Sequence, residues 1–513
     1  MKRPDASGAG GPAGAGRGTG SRGVRRSLGL IAGPALFLLV LALRPAGGMP
    51  PAAQKVLAVT AWMAVWWVTE AIPIPGTALL PLVLFPATGA ASMTATAAPY
   101  ANPNVFLFLG GFIVAKCIER QNLHRRLALN ILSLVGPSPE RLVLGFMVAT
   151  ALLSMWISNT ATAMMMMPIG LAVIAQLGAL GKGAAAGGGT GGGGGDAPGK
   201  GDSAFGTCLM LSIAYSASVG GIATLIGTPP NIVFAGVAEE LLGVTITFGR
   251  WLAYGLPVSL VMLVLTWLYM TRVAYGRLPR VPGGQAVIRR DLDAMGPMTR
   301  GEKGAALVFA CVGLAWVTRP LWQDLLPQIT DPVIAIAGAL ATFAIPVNLS
   351  RGEFLNDWES ASGIPWGILL LFGGGLSLAA AFGDTGLAGW LGAQLAGLRG
   401  LPTLPVLLLL VTLVVLLTEV TSNVATTSMM MPVTAAMAAG MGIHPFLLMI
   451  TSATAASCAF MLPVATPPNA VVFASGYVSI PQMARAGMWL NLMSVIVITL
   501  AGYLWVPLVW GIR

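Results

Sequence analysis

Long stretches of this chain contain no Asp, Glu, Lys, Arg or His, among them Leu142 to Gly181, Ser203 to Ala238, Trp251 to Thr271, Pro332 to Ser350, Pro445 to Ala484 and Ala486 to Ile512. A helix crossing a bilayer needs about 20 predominantly apolar residues. Several of these runs can therefore hold one or two spans each. Only 9% of the 513 residues are charged and 56% are hydrophobic, whereas soluble domains are about 25% charged. A soluble fold could not hide so much apolar surface. The expected class is an all-α polytopic membrane protein of about ten to twelve spans.

The net charge of +10 would suggest nucleic acid in a soluble protein. Here the basic residues cluster, which the positive-inside rule accounts for. The clusters are Lys2, Arg3, Arg17, Arg22, Arg25 and Arg26; Lys116, Arg120, Arg125, Arg126 and Arg141; and Arg272, Arg277, Arg280, Arg289, Arg290, Arg300 and Lys303. All three are expected in the cytoplasm, and no nucleic-acid partner is expected. Arg25-Arg26 before the apolar run Leu28 to Leu43 has the look of a twin-arginine or secretory signal. A polytopic chain more often retains such a segment as its first span. The Gly-, Ala- and Arg-rich residues ahead of it are expected to form a disordered arm. Cys117, Cys208, Cys311 and Cys458 form no CxxC pair and are expected to be small buried hydrophobes.

Internal repetition organises the rest. Ser158-Asn159-Thr160-Ala161-Thr162 leads into Met165-Met166-Met167-Pro168, and Ser422-Asn423-Val424-Ala425-Thr426 leads into Met429-Met430-Met431-Pro432. Gly227-Thr228-Pro229-Pro230-Asn231 is matched by Ala465-Thr466-Pro467-Pro468-Asn469, and Gly110-Gly111 by Gly373-Gly374. A Gly-rich loop at 181–202, absent from the second half, accounts for most of the difference in spacing. Paired halves with Pro or Gly interrupting apolar runs at corresponding places point to a transporter whose site lies at the repeat interface.

The motifs have a physical reading. Ser158-Asn159-Thr160 interrupts an apolar run long enough for two helices with no charged turn between them, as expected for a hairpin that enters and leaves the membrane from one side. At its tip one helix ends in free carbonyls, which suit a cation, and the next begins with free amides, which suit an anion. Broken backbone at membrane depth is tolerated where it lines a cavity. The prolines of Thr228-Pro229-Pro230-Asn231 remove amide donors and free the preceding carbonyls. Isolated Ser, Asn and Thr would more often be helix glue; two copies in register favour a site. Neutral oxygen ligands match sodium rather than zinc or copper. His124 and His444 are expected in ordinary surface or interfacial roles. The Met strings are expected to be packing surface. Glu70 and Glu419 are acids at membrane depth; Glu70 is expected to cap or brace a helix end, and Glu419 to face away from the tip and pair with backbone. The site segments contain no Lys, Arg or His, so no basic side chain is expected near the tips. Helix N-termini offer about half a charge each, leaving bound cations to balance a dianion.

These motifs, together with TEAIPIPGTALLPLVLFP, FLGGFIVAKCIERQNLHRRLALNIL and IPWGILLLFGGGLSLAAAF, resemble the divalent anion/sodium symporter family over nearly everything from about residue 50. The resemblance implies a homodimer of about 11 transmembrane helices plus two re-entrant hairpins, in two inverted repeats, with a cytoplasmic N-terminus. It implies an elevator mechanism, with a transport domain sliding against a scaffold. On that basis 1–26 would be a disordered cytoplasmic arm, 27–140 and 304–402 the scaffold parts, 141–271 and 403–513 the transport parts, and 272–303 a cytoplasmic linker. The resemblance assigns one sodium site to Ser154, Ser158, Asn159 and Gly227, and a second to Thr418, Thr421, Asn423 and Ala465. Substrate carboxylates would be held at Asn159, Thr160, Thr228, Asn423 and Thr466, with Val424 standing where the family has a threonine. The implied function is sodium-coupled symport of di- or tricarboxylates (succinate, malate, citrate) across the inner membrane, with co-transported Na+ and no organic cofactor. A sodium-independent exchanger or sulfate carrier is the rival. A membrane-embedded enzyme is disfavoured because no nucleophile–base pair or metal cluster stands out.

Overall fold

The computed structural model describes residues 19–512 apart from 46, 137, 187–203, 277 and 279–283. The described chain is helical almost throughout, its one sheet being the short hairpin Pro346–Asn348 with Glu353–Phe354. Eight helices are long and apolar enough to cross a membrane, and shorter apolar helices accompany them, among them Thr403–Thr418 and Pro445–Ala456. These two fall short of span length because each stops where a broken, polar segment begins. The protein is thus an all-α, multi-pass membrane protein.

The helices that build the site are numbered here in chain order: α1 Thr19–Ala42, α2 Pro51–Thr69, α3 Pro139–Ser154, α4 Asn159–Ala186, α5 Ala204–Gly221, α6 Pro229–Leu242, α7 Thr403–Thr418, α8 Asn423–Met441, α9 Pro445–Ala456, α10 Pro467–Ala474 and α11 Ile480–Leu500. α1 starts at Thr19, ahead of the boundary at residue 26 expected between arm and first span. The reason is a tertiary contact: Arg25 and Arg26 find carbonyl acceptors at the end of α2, which extends ordered helix to the N-terminal side of the apolar run. Residues 1–18, the Gly-rich loop from 187 onward, and Arg277 and Arg280 lie outside the described residues.

The motif pairs sit at matching breaks. Residues 155–158 separate α3 from α4, and 419–422 separate α7 from α8; residues 222–228 separate α5 from α6, and 457–466 separate α9 from α10. Packing across the halves is reciprocal. α6 lies against α8 and α9, while α10 lies against α4 and α5. α5 also packs closely on α3. A Cβ on Gly220 would collide with the Ala151 backbone, and one on Gly227 with the Gly221 carbonyl, so glycine sets the spacing at the first pair of breaks.

On the outer face α7 presents Leu404, Leu408, Leu409, Leu413 and Leu416, a stripe that suits lipid. Two of the basic clusters meet each other. Arg126 pairs with Glu302 at 2.7 Å, both buried, and Arg125 pairs with Asp291 at 3.5 Å. They join the helix Leu123–Leu134 to the helices Gly284–Ala294 and Arg300–Trp322, so both clusters share one side of the molecule. Cys117, Cys208 and Cys458 are buried, but Cys311 is exposed. The expectation of four buried cysteines is corrected there, because Cys311 lies on a lipid-type outer face of Arg300–Trp322, beside exposed Leu307 and Leu314.

Candidate anion and cation site

The four breaks converge on one cavity of about 560 Å³. Its wall includes Ser158, Asn159 and Thr160 from the first tip, Ser422, Asn423 and Val424 from the second, Gly227 and Thr228 before α6, and Ala465 and Thr466 before α10. Thr421 also lines it. Ser154 and Thr418 do not reach the wall; each bonds the asparagine that does. Every residue expected at the site is therefore on the cavity or one hydrogen bond from it.

The helix starts explain why the tips are polar. At an α-helix N-terminus the first amides lack intrahelical acceptors, and α4 and α8 both begin inside the cavity wall at their asparagines. Ser158 Oγ accepts from the amide of Ala161 at 3.3 Å, whereas Ser422 makes no such cap. The reverse holds before the other pair of helices: Thr466 Oγ1 caps the Asn469 amide at 3.3 Å, and Thr228 makes no side-chain cap. One hydroxyl of each pair is thus free of a capping bond.

Behind the tips lie two matching oxygen clusters. Ser154 Oγ lies 2.6 Å from Asn159 Oδ1 and 2.7 Å from the Ala217 carbonyl. Thr418 Oγ1 lies 2.8 Å from both Asn423 Oδ1 and the Ala456 carbonyl. Each hydroxyl has one proton for two acceptors. In the first cluster the same amide atom of Asn159 also lies 3.2 Å from the Ala217 carbonyl and 3.3 Å from the Gly227 carbonyl. With nitrogen at that point the amide donates to its neighbours; with oxygen there, four oxygens converge, a donor set that suits a hard cation. Asparagine is one of the few side chains that can serve both arrangements by a flip.

A second asparagine steadies each break. Asn231 Nδ2 donates to the carbonyls of Thr224 (2.8 Å) and Gly221 (3.2 Å); Asn469 Nδ2 donates to those of Leu462 (3.0 Å) and Ala459 (3.2 Å). These acceptors correspond position by position between the halves. They lie in the non-helical segments that precede Pro229-Pro230 and Pro467-Pro468, where backbone carbonyls have few helical donors.

Glu419 stays out of the cavity wall. It is buried, and Oε1 accepts from the amides of Phe460 (2.7 Å) and Met461 (2.9 Å) and from Asn491 Nδ2 (2.7 Å). It turns from the tip to backbone amides, as the sequence suggested, and its bond to Asn491 also ties the second tip to α11. Glu70 ends α2 in a left-handed conformation, its amide bonded to the Trp66 carbonyl, and lines the cavity mouth. His444 caps α9, its Nδ1 accepting from the Phe446 amide at 3.2 Å, while His124 Nδ1 meets the Ile118 carbonyl at 3.1 Å.

One expectation is overturned. Arg25 and Arg26 line the cavity, so basic side chains do stand near the tips. The site segments themselves contain no Lys, Arg or His, but the positive groups arrive from α1, far away in the chain. A pair of arginines within a Gly- and Ala-rich stretch carries no local signal that it folds against a site.

A family profile described as the transmembrane region of sodium:sulfate symporters matches residues 25–511. The chain belongs to the sodium:sulfate symporter family. Within it, the sodium-dependent dicarboxylate transporter SdcS of Staphylococcus aureus is 45% identical over 491 residues, covering 94% of this chain and 92% of the relative. The family assignment agrees with the divalent anion/sodium symporter resemblance carried by the paired motifs. Two solved structures share the fold: the Alcanivorax borkumensis YdaH transporter, at TM-score 0.57 and 17% identity over 89% of this chain and 99% of that one, and Neisseria gonorrhoeae MtrF, at 0.53 and 12% over 94% of each. Set in this symporter family, the paired tips and breaks have a natural use: a cavity bounded by free amides and hydroxyls, with oxygen clusters behind it.

Proposed function

We propose that the protein is a sodium-coupled symporter of small dicarboxylates or tricarboxylates, of the succinate, malate and citrate class. The observation that carries the reading is the duplicated arrangement of one oxygen cluster behind each tip of a shared cavity. The 45% identity to a relative named as a sodium-dependent dicarboxylate transporter supports the same reading. Anion carboxylates meet Asn159, Thr160, Thr228, Asn423 and Thr466, with Val424 contributing its backbone. Sodium ions are held by Ser154, Ser158, Asn159 and Gly227, and by Thr418, Thr421, Asn423 and Ala465. Sodium is cargo here, and the chemistry requires no organic cofactor.

The mechanism we favour is an elevator. Residues 141–271 and 403–513 move as a transport domain against 27–140 and 304–402, in a homodimer of the inner membrane whose N-terminus is cytoplasmic. Reciprocal packing of α6 on α8 and α9, and of α10 on α4 and α5, favours these helices moving together. The meeting of two basic clusters on one side favours a shared cytoplasmic face.

Charge balance frames the rival. Arg25 and Arg26 less Glu70 leave one net positive charge on the cavity wall, short of a dianion's two. Sodium supplies the remainder in the symport reading. A sodium-independent exchanger gains support from the arginines themselves. The deciding experiment is succinate binding to the purified protein in sodium and in choline, at fixed pH and ionic strength. Symport predicts tight binding in sodium alone; equal affinity in both salts would replace it with exchange.

A further inference from the structure

Arg25 and Arg26 both enter the cavity from α1, but they are used differently. Arg26 donates through Nε to the Ala71 carbonyl at 2.8 Å, just past the end of α2. Arg25 spans two parts of the fold. Its Nη2 donates to the Val68 carbonyl within the last turn of α2 and, at 3.1 Å, to the Val420 carbonyl inside the second tip. A single guanidinium thereby joins the α1–α2 pair to the hairpin formed by α7 and α8.

Nothing discharges it. A guanidinium stays protonated in proteins and carries five donors, of which only those on Nη2 are engaged here. None of the five ion pairs among the described residues includes Arg25 or Arg26. Glu70 shares the cavity wall without forming one. Carbonyl dipoles hold the group in place and leave its charge. Arg25 therefore presents a permanent positive charge, with donors to spare, to a wall whose other charged groups are Arg26 and Glu70 and whose remainder is neutral hydroxyls, amides and apolar groups.

We infer that Arg25 is a specificity-determining residue for the anion: a fixed charge at the cavity mouth that draws doubly charged carboxylates toward the second tip. The inference rests on the anion-symport reading of the cavity. It goes beyond that reading because the tips and breaks, being neutral, cannot discriminate by charge in this way. Coulomb attraction scales with the ligand's charge, so a dianion gains about twice what a monoanion gains.

The test toggles the charge on one protein. In a Cys311→Ser background, which removes the exposed native thiol, Arg25→Cys is treated with a methanethiosulfonate bearing either an ammonium or a sulfonate group. Succinate affinity is then measured in saturating sodium. The unmodified Cys variant should bind succinate about tenfold more weakly than its parent. The ammonium adduct should recover most of that loss, and the sulfonate adduct should weaken binding further. Sodium-induced thermal stabilisation without anion should be equal in all three states, which shows the fold and cation sites intact. Equal succinate affinity in the three states overturns the inference while leaving symport standing. Failure of the parent itself to bind succinate in sodium removes the symport reading and this inference with it. Should Arg25→Cys not fold, Arg25→Lys is compared with Arg25→Gln: tighter succinate binding by the Lys variant supports the charge role, and equal binding overturns it.

Discussion

At the scale of single residues, the asparagines at the tips carry the most. Asn159 and Asn423 each face the cavity and also close an oxygen cluster with Ser154 or Thr418. Losing a hydrogen bond or ligand contact to a charged partner costs about 1.5–3 kcal/mol, a factor of roughly ten to a hundred and fifty. Asn159→Ala and Asn423→Ala should each lower sodium-driven succinate uptake by at least about tenfold, while the protein still reaches the membrane in normal amount. Uptake by Asn159→Ala at the parent rate would remove the first tip from the mechanism. Val424 is a subtler case. It occupies on the second tip the place that Thr160 holds on the first, and offers no hydroxyl. Val424→Thr should shift the relative affinity for dicarboxylate, tricarboxylate and sulfate by about 1 kcal/mol, the scale of one net hydrogen bond. Competition binding with the three anions reads this directly, and an unchanged ranking with unchanged ratios would mean that backbone amides alone serve that side.

Among the elements, the closeness of α3 to α5 decides whether the first cluster exists. Gly220 lies against the Ala151 backbone, and the Ser154 bond to the Ala217 carbonyl crosses the same contact. Gly220→Ala should cost about 1–3 kcal/mol in stability through overpacking and should raise the sodium concentration needed for half-maximal anion binding. A variant with reduced stability but unchanged sodium dependence would uncouple this contact from the cation site. Glu419 plays the equivalent part for the second tip. Glu419→Ala leaves the buried Phe460 amide, the part-buried Met461 amide and the Asn491 carboxamide without their acceptor, at up to about 1–3 kcal/mol for each buried group; Glu419→Gln keeps one acceptor oxygen and should be milder. Thermal unfolding of the two variants should rank Ala well below Gln. The breaks themselves were legible in the sequence, since polar or Pro-Pro motifs inside apolar runs leave few other structures possible, and so was the turning of Glu419 toward backbone. The placing of Arg25 was not. Its two acceptors, Val68 and Val420, lie 43 and 395 residues away, and no periodicity or spacing encodes a contact of that range. The boundary of α1 was missed for the same reason, because side-chain bonds to α2 rather than local propensity extend it.

For the whole molecule, cation and anion binding should be one linked event. Reciprocity requires that sodium tighten the anion by the factor by which the anion tightens sodium. Below saturation, each tenfold rise in sodium should increase apparent succinate affinity by up to about tenfold per coupled ion, as read by thermal shift across a sodium series. A flat response would end the linkage. The same architecture has a consequence for how the chain is made. α5 is the helix most enclosed by protein, 94% of its span window being buried, and its mean hydropathy of 1.3 compares with 2.2 for the last span. Its covers include the later segments: Tyr215 packs on Phe460 and bonds the Met483 carbonyl, and Thr207 bonds the Tyr477 carbonyl. During synthesis α5 has its earlier neighbours α3 and α4, but the face that meets Tyr477 and Met483 waits, on a weakly hydrophobic helix, until some 270 more residues have left the ribosome. A chain cut short before α9 would leave this face of α5, with Thr207 and Tyr215, without its protein cover, a ready mark for membrane quality control. Assembly around α5 therefore depends on segments some 270 residues downstream of it.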